Sequence, residues 1–155
     1  YGSYMLSKKS KSVVGVDISA SAIVHAKKKI KSKNLKFYQK NINKIPTNRK
    51  FDLVVSLETL EHLEKKDAIE WIKKCKSLLA KNAILIISSP MLRIRNNKPF
   101  ITNPHHLHEM RKNEFIGNLK NIIKPKFLSV YVQSEDSFKP LTNEVSGLGY
   151  AVLKL

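Results

Sequence analysis

The sequence predicts an α/β fold: a mostly parallel sheet with helices on both faces and an antiparallel C-terminal edge hairpin. Short, largely apolar runs at Val13–Val16, Phe51–Leu57 and Ala83–Ser88 have the length and branched side chains of strands buried on both faces. Segments with helical spacing separate these runs, so strands and helices alternate along the chain. The last two apolar segments, Phe127–Gln133 and Leu148–Leu155, are joined by a polar connection, which suits an antiparallel pair.

Each element has a local reason. Lys11–Asp17 is a strand ending in an acid, and Ser19 or Ser21 can cap the helix that follows. In that helix Ile23, Ala26 and Ile30 face inward while Lys27, Lys28, Lys29 and Lys31 face water. Leu35–Gln39 is a second strand, and Asn41–Lys50, with Pro46, is a loop. Phe51–Leu57 is the third strand, and Glu58–Glu64 leads out of it. Asp67–Leu79 places Ala68, Ile69, Ile72, Cys75, Leu78 and Leu79 at helical spacing. Lys81-Asn82 makes a turn, because Asn tolerates a left-handed backbone. Ala83–Ser88 is the fourth strand, ended by Pro90, and the polar stretch Met91–Met110 precedes a helix near Asn113–Ile123.

A chain of 155 residues with 42% hydrophobic and 26% charged residues has the composition of one globular domain, expected over 1–155. One cysteine, Cys75, excludes an internal disulfide framework. The apolar runs fall far short of the ~18 residues needed to span a bilayer, and the first residues carry no leader pattern. A cytoplasmic protein is expected. The net charge of +17 is concentrated early: residues 1–50 hold thirteen Lys or Arg and one acid, Asp17. Such a surface attracts phosphates, and the charge admits a nucleic-acid partner. Only four of the 29 basic residues are Arg, however, and a general preference for Lys accounts for the excess as well.

Ligands of open α/β sheets bind beyond the carboxyl ends of the strands. The first strand ends at Asp17, whose carboxylate can accept both hydroxyls of a ribose, beside Ile18, an apolar surface for a base. The second leads to Asn41-Ile42, and the third ends at Ser56-Leu57-Glu58, with His62 a turn later. Taken in order, VVGVDIS, FYQKNINKIP, FDLVVSLETLEHL and LLAKNAILIISSP resemble a class I S-adenosylmethionine-dependent methyltransferase over Tyr1 to about Ile123. The resemblance implies a Rossmann-like fold with S-adenosylmethionine as cofactor. It implies that Asp17 holds the adenosyl ribose, Ile18 packs on the adenine, Asn41 and Ile42 meet the adenine edge, and Ser56, Leu57 and Glu58 lie under the methionine portion. The Glu61-His62 pair is typical of the subgroup with small-molecule, lipid or sugar acceptors.

The sequence departs from the family pattern at three places. Asn41 stands where the family usually has Asp, and Lys81-Asn82-Ala83 replaces a Pro-Gly-Gly type turn. Family members open with a strand and a loop of the form D/E-x-G-x-G-x-G; Tyr1-Gly2-Ser3-Tyr4 matches only the tail of that loop. Tyr1 and Gly2 are therefore cofactor-binding candidates in a domain expected to be truncated at its N-terminus. The absent strand would lie between those ending at Asp17 and Leu57, leaving both with open edges.

Asn103-Pro104-His105-His106-Leu107-His108-Glu109 is the densest set of potential ligands. Three imidazoles and a carboxylate suit zinc, but adjacent histidines in an extended segment point opposite ways and no second ligand cluster is evident, so no metal is expected. The segment resembles the Asn-Pro-aromatic-His-x-x-Glu lid of some of these methyltransferases. His62 or His106 can take a proton from the acceptor, since imidazole titrates near neutrality. Cys75 and Trp71 read as helix packing. The leading expectation is methyl transfer to a small-molecule or saccharide-type acceptor. The alternatives are a basic nucleic-acid-binding module or RNA-directed methyltransferase, and a non-catalytic methyltransferase remnant that binds a partner.

Overall fold

A computed structural model describes residues 1–155 apart from 97, 102, 135–136 and 141–147. The chain divides into two compact units, Tyr1–Pro46 and Thr47–Leu155.

In the first unit, α1 (Gly2–Ser7) precedes β1 (Val13–Asp17), α2 (Ala20–Lys29) and β2 (Leu35–Gln39). β1 and β2 pair in parallel, from Val13 opposite Leu35 to Asp17 opposite Gln39. Ser19 is the cap of α2, its side chain accepting from the Ala22 N–H, and Ile23 is the buried residue of that helix. Gly15 is required by packing: a Cβ there would stand 2.7 Å from the Phe37 ring and 2.9 Å from Ser3 Oγ. Asn34 ties the connections together, its amide donating to the carbonyls of Ser7 at 2.8 Å and Ser10 at 2.7 Å.

The second unit contains β3 (Phe51–Ser56), α3 (Lys65–Leu78), β4 (Leu79–Pro90), β5 (Arg93–Arg95), β6 (Lys98–Phe100), α4 (Lys112–Asn118), β7 (Phe127–Ser134), β8 (Ser137–Pro140) and β9 (Leu148–Lys154). Its main sheet runs β3-β4-β9-β7-β8. β3 and β4 are parallel, and the β4–β9, β9–β7 and β7–β8 pairs are antiparallel. The fold is mixed α/β with an antiparallel C-terminal edge, as the strand pattern predicts. Ala68, Trp71, Ile72, Cys75 and Leu78 form the buried stripe of α3, a spacing set by the 3.6-residue turn. Phe115, Leu119 and Ile123 are buried with them, as are Leu85 and Ile87 of β4, Val132 of β7 and Leu153 of β9.

Three differences from the sequence reading have local causes. The turn expected at Lys81-Asn82 is a bulge inside β4: Phe51 pairs with Leu79 and Leu53 with Ile84, so the extra residues loop out within the ladder. Asn82 supplies the positive φ of 61° that such a kink needs. The stretch Met91–Met110 contains a two-stranded ladder, β5 with β6. Its signal is Asn96, at φ 50°, between two short extended runs. The helix expected near Asn113–Ile123 is α4 followed by a wider π turn over Leu119–Ile123, closed by Lys124 in the left-handed region.

β1 and β3 are each at the edge of their own sheet. Their apolar residues Val13, Val14, Leu53, Val54 and Val55 are only partly covered, although their composition is that of strands with two neighbours.

Cys75 is fully buried, and loss of solvation pushes its thiol from an ordinary value of 9.0 up to about 12. A raised thiol pKa means that the folded state holds its proton longer than the unfolded state. The stabilisation is thus complete below pH 9.0 and is lost as the pH rises towards 12. Thiol reagents at pH 8 should label Cys75 only as fast as the second unit opens, and in urea they should label it at once. Replacing Cys75 by Ala should remove about 1.4 kcal/mol per pH unit from the slope of stability above pH 9, read from urea melts at pH 8 and 10.

Candidate functional site

In the first unit the candidates gather at the carboxyl ends of β1 and β2. Asp17 closes β1, and its Oδ1 accepts the Ser19 N–H at 2.8 Å. Asp17 is exposed, and Ile18 beside it is 67% exposed. The two strand ends are joined by Lys40 N–H to the Asp17 carbonyl at 2.9 Å and by the Gln39 amide to the Ile18 carbonyl at 3.2 Å. Asn41 follows directly, exposed, with its Oδ1 accepting from the Asn43 N–H at 2.9 Å; this Asx turn starts a short 3₁₀ segment, Ile42–Lys44. Ile42 is half-buried. Tyr1 is fully exposed, and a Cβ at Gly2 would meet nothing within 4 Å, so no steric demand fixes glycine there.

In the second unit the candidates lie beyond β3. Ser56 is buried, and its Oγ accepts the Trp71 indole N–H at 2.8 Å. Trp71 therefore does more than pack: its one polar atom is satisfied by the end of the neighbouring strand. Replacing Ser56 by Ala should strand that buried donor and cost about 1–3 kcal/mol, measurable as a lower urea midpoint with unchanged slope. Leu57 is 47% exposed. Glu58 holds a left-handed backbone at φ 48°, rare for a residue with a side chain. Ser88 at the end of β4 secures it, accepting the Glu58 N–H at 3.1 Å and donating to Glu58 Oε1 at 2.6 Å.

A 3₁₀ turn, Leu60–His62, then turns Glu61 fully inward and leaves His62 half-exposed. The histidine segment is bolted to this turn. Leu107 and His108 N–H both donate to the Glu61 carbonyl, at 2.8 and 3.3 Å, and His62 Nδ1 donates to the His105 carbonyl at 3.1 Å. His106 Nδ1 lies 2.7 Å from Oε1 of the buried Glu109. The His62 and His106 rings meet edge to face with centroids 5.1 Å apart. Burial pushes the Glu61 carboxyl above its ordinary range, and the charge of Glu58 adds to this. A backbone hydrogen bond and the imidazoles of His62 and His106 oppose the rise.

The structure thus brings together the two residues singled out as proton acceptors, His62 and His106. It adds two that linear reading missed as parts of this cluster, the buried Glu61 and Glu109. Their signal was present in Glu61-His62 and His106-Leu107-His108-Glu109, but their proximity is a tertiary fact. A shallow groove of about 740 Å³ in the first unit, lined by Lys27, Lys31, Lys33, Lys36, Phe37 and Tyr38, contains none of the candidates. No helix among the described residues is long and apolar enough to cross a membrane.

The chain is similar to known methyltransferases. A ubiquinone biosynthesis O-methyltransferase of Glaesserella parasuis serovar 5 is 26% identical over 147 residues, covering 84% of this chain and 61% of that protein. The chain therefore spans about three-fifths of that relative's length. An S-adenosylmethionine-dependent methyltransferase structure from Listeria monocytogenes superposes with a TM-score of 0.67 at 15% identity, covering 99% of this chain and 85% of the other. The N-methyltransferase NodS of Bradyrhizobium japonicum WM9, solved with S-adenosylhomocysteine, gives a TM-score of 0.66 at 15% identity, over 97% of this chain and 70% of that one. At these identities the two structures establish the fold. A family model described as a methyltransferase domain matches residues 3–143, and with nine-tenths of its length so matched the chain belongs to that family, whose cofactor is S-adenosylmethionine.

Proposed function

We propose that this chain carries out methyl transfer from S-adenosylmethionine to a small-molecule acceptor. The observation that carries the reading is the pairing of an exposed acid, Asp17, with an exposed aliphatic side chain, Ile18, at the end of a buried-type strand in a methyltransferase domain. Asp17 also caps the Ser19 N–H, and the pair has the chemistry that a ribose and an adenine ask for. A carboxylate with one oxygen on a backbone N–H keeps capacity for the two ribose hydroxyls. Ile18 and Ile42 offer apolar walls to the base. Asn41 offers its amide to the adenine edge, its carbonyl oxygen already accepting once from Asn43 N–H. Tyr1 and Gly2, at the start of α1, remain candidates on the resemblance alone.

The cofactor supplies an electrophilic methyl on a sulfonium, which a nucleophile displaces in line. The chain's own task is to position the acceptor and take its proton. Leu57 and Glu58 remain candidates for the methionine portion on the resemblance alone, and Ser56 holds their strand end through Trp71. His106, its Nδ1–H held by Glu109, presents Nε2 as a base, and His62 does the same through the His105 carbonyl. A small acceptor is favoured by the ubiquinone-pathway relative.

Calorimetric titration with S-adenosylhomocysteine tests the reading. Saturable binding at one site supports it. A well-folded chain that shows no heat and no thermal stabilisation would overturn it in favour of a non-catalytic domain.

A further inference from the structure

The groove in the first unit combines an excess of positive charge with an open sheet edge. Residues 1–46 contain one acid, Asp17, at the carboxyl end of β1. The groove lies along β2 and the segment that leaves α2, where Lys27, Lys31, Lys33 and Lys36 line it. All four are exposed, and no carboxylate among the described residues pairs with them. Lys27 has a local task, since it sits in the last turn of α2 and offsets the negative end of the helix dipole. Lys33 and Lys36 lie beyond that turn and have no such task. Like charges gathered round one groove repel one another, a cost that an anionic ligand removes.

The floor between the lysines is apolar. Leu35 is buried, Ile30 and Phe37 are half-buried, and Tyr38 is 43% exposed. Phe37 is committed to packing, its ring standing where a Cβ on Gly15 would come within 2.7 Å. Four consecutive residues of β2, Leu35–Tyr38, line the groove. Successive side chains of a strand point to opposite faces, so a groove touched by all four runs along an edge rather than over one face. That edge is open, because β2 pairs with β1 on one side only. Its outward N–H and C=O groups can therefore meet a further strand.

We propose that this groove binds an acidic segment of a partner protein in extended conformation, added as a strand to the open edge of β2. Backbone hydrogen bonds hold the segment, and its carboxylates meet the lysines on either side of it. A second copy of this chain is disfavoured, because each copy brings Lys36 and Lys40 to the same edge and a net charge of +17. A nucleic acid would satisfy the charges but not the backbone groups. Among the lining residues it would find only the Tyr38 ring exposed for stacking, and lysines, which lack the fork of arginine for phosphate. None of the cofactor candidates lines the groove, so the interaction is independent of methyl transfer.

The probe is a fluorescein-labelled ten-residue peptide alternating Glu and Val, titrated with the full chain by fluorescence anisotropy. The expected result is saturable binding of one peptide per chain at about 50 mM salt, weakened about tenfold or more at about 200 mM. Amides of Leu35–Gln39 should exchange more slowly with solvent in the complex. A peptide alternating Glu and Pro carries the same charge but cannot donate to a ladder, and should bind about tenfold more weakly or worse. Reversing two charges, Lys33→Glu with Lys36→Glu, should weaken binding about tenfold or more. The milder Lys33→Gln with Lys36→Gln should weaken it about 2- to 30-fold. Lys66→Glu with Lys98→Glu, two exposed positions in the second unit, changes the net charge as much as the first pair and should leave binding intact. Circular dichroism and the Gln pair separate lost charge from lost fold. A folded chain that fails to bind the peptide at low salt overturns the proposal, as does binding that survives the reversal of Lys33 and Lys36. Equal affinity for the Glu-Pro peptide overturns it too, and so does displacement of the peptide by a lower concentration of a ten-nucleotide oligothymidylate.

Discussion

Replacing Asp17 by Ala is expected to weaken S-adenosylhomocysteine binding by about 10- to 100-fold, from the loss of charge-assisted hydrogen bonds worth about 1.5–3 kcal/mol. The carboxylate has two tasks that the variants can separate. Oδ1 caps the Ser19 N–H at the start of α2, and in the proposed reading the group also accepts from the ribose. Asp17→Asn keeps an acceptor for Ser19 but loses the charge that strengthens bonds to the hydroxyls. It should therefore retain the wild-type urea midpoint while losing most of the affinity. Asp17→Ala should lose affinity and about 0.5–2 kcal/mol of stability, as removal of a local cap does. Equal affinities for wild type and Asp17→Asn would separate Asp17 from the ribose. The measurement is calorimetry beside urea denaturation on the same three proteins.

The largest loss of stability is expected from Phe115→Ala, at about 3–5 kcal/mol. Phe115 is fully buried, the largest such side chain among the described residues, in company with Leu119 and Ile123 of the π turn and the stripe of α3. Its removal leaves a void that the surrounding sheet and helices can close only in part. The loss should appear as a lower urea midpoint for the second unit. Because α4 follows directly on the segment that Glu61 holds at Leu107 and His108, a cavity at Phe115 should also loosen the His62–His106 contact. Phe115→Leu, which keeps most of the volume, should recover more than half of the loss. Identical midpoints for the Ala variant and wild type would show that this part of the core contributes little.

Much of the secondary structure was legible because it rests on local physics. β1, β3 and β4 follow from apolar runs of strand length, and α3 from apolar residues at helical spacing. Ser19 caps its helix for a reason written within three residues of it. Even the positive φ at Asn82 was signalled by residue type. What was misread there is the setting: a turn and a bulge ask the same of one residue, and only pairing with β3 decides between them. The β5–β6 ladder was missed because its strands are short and polar, so neither carries a periodic pattern.

The candidate site divides along the same line. The sequence by itself determined that Asp17 and Ile18 end a strand, since strand and cap are both local, and it determined which residue types could bind or transfer a proton. Only the tertiary structure decided that Ser56 serves Trp71, that Glu58 is held in a strained backbone by Ser88, and that Glu61, His62 and His106 come together. The reason is physical. Those contacts depend on the Glu61 carbonyl capturing the N–H groups of Leu107 and His108 across a long stretch of chain, and a bond between distant segments leaves no period or spacing in the sequence from which to read it.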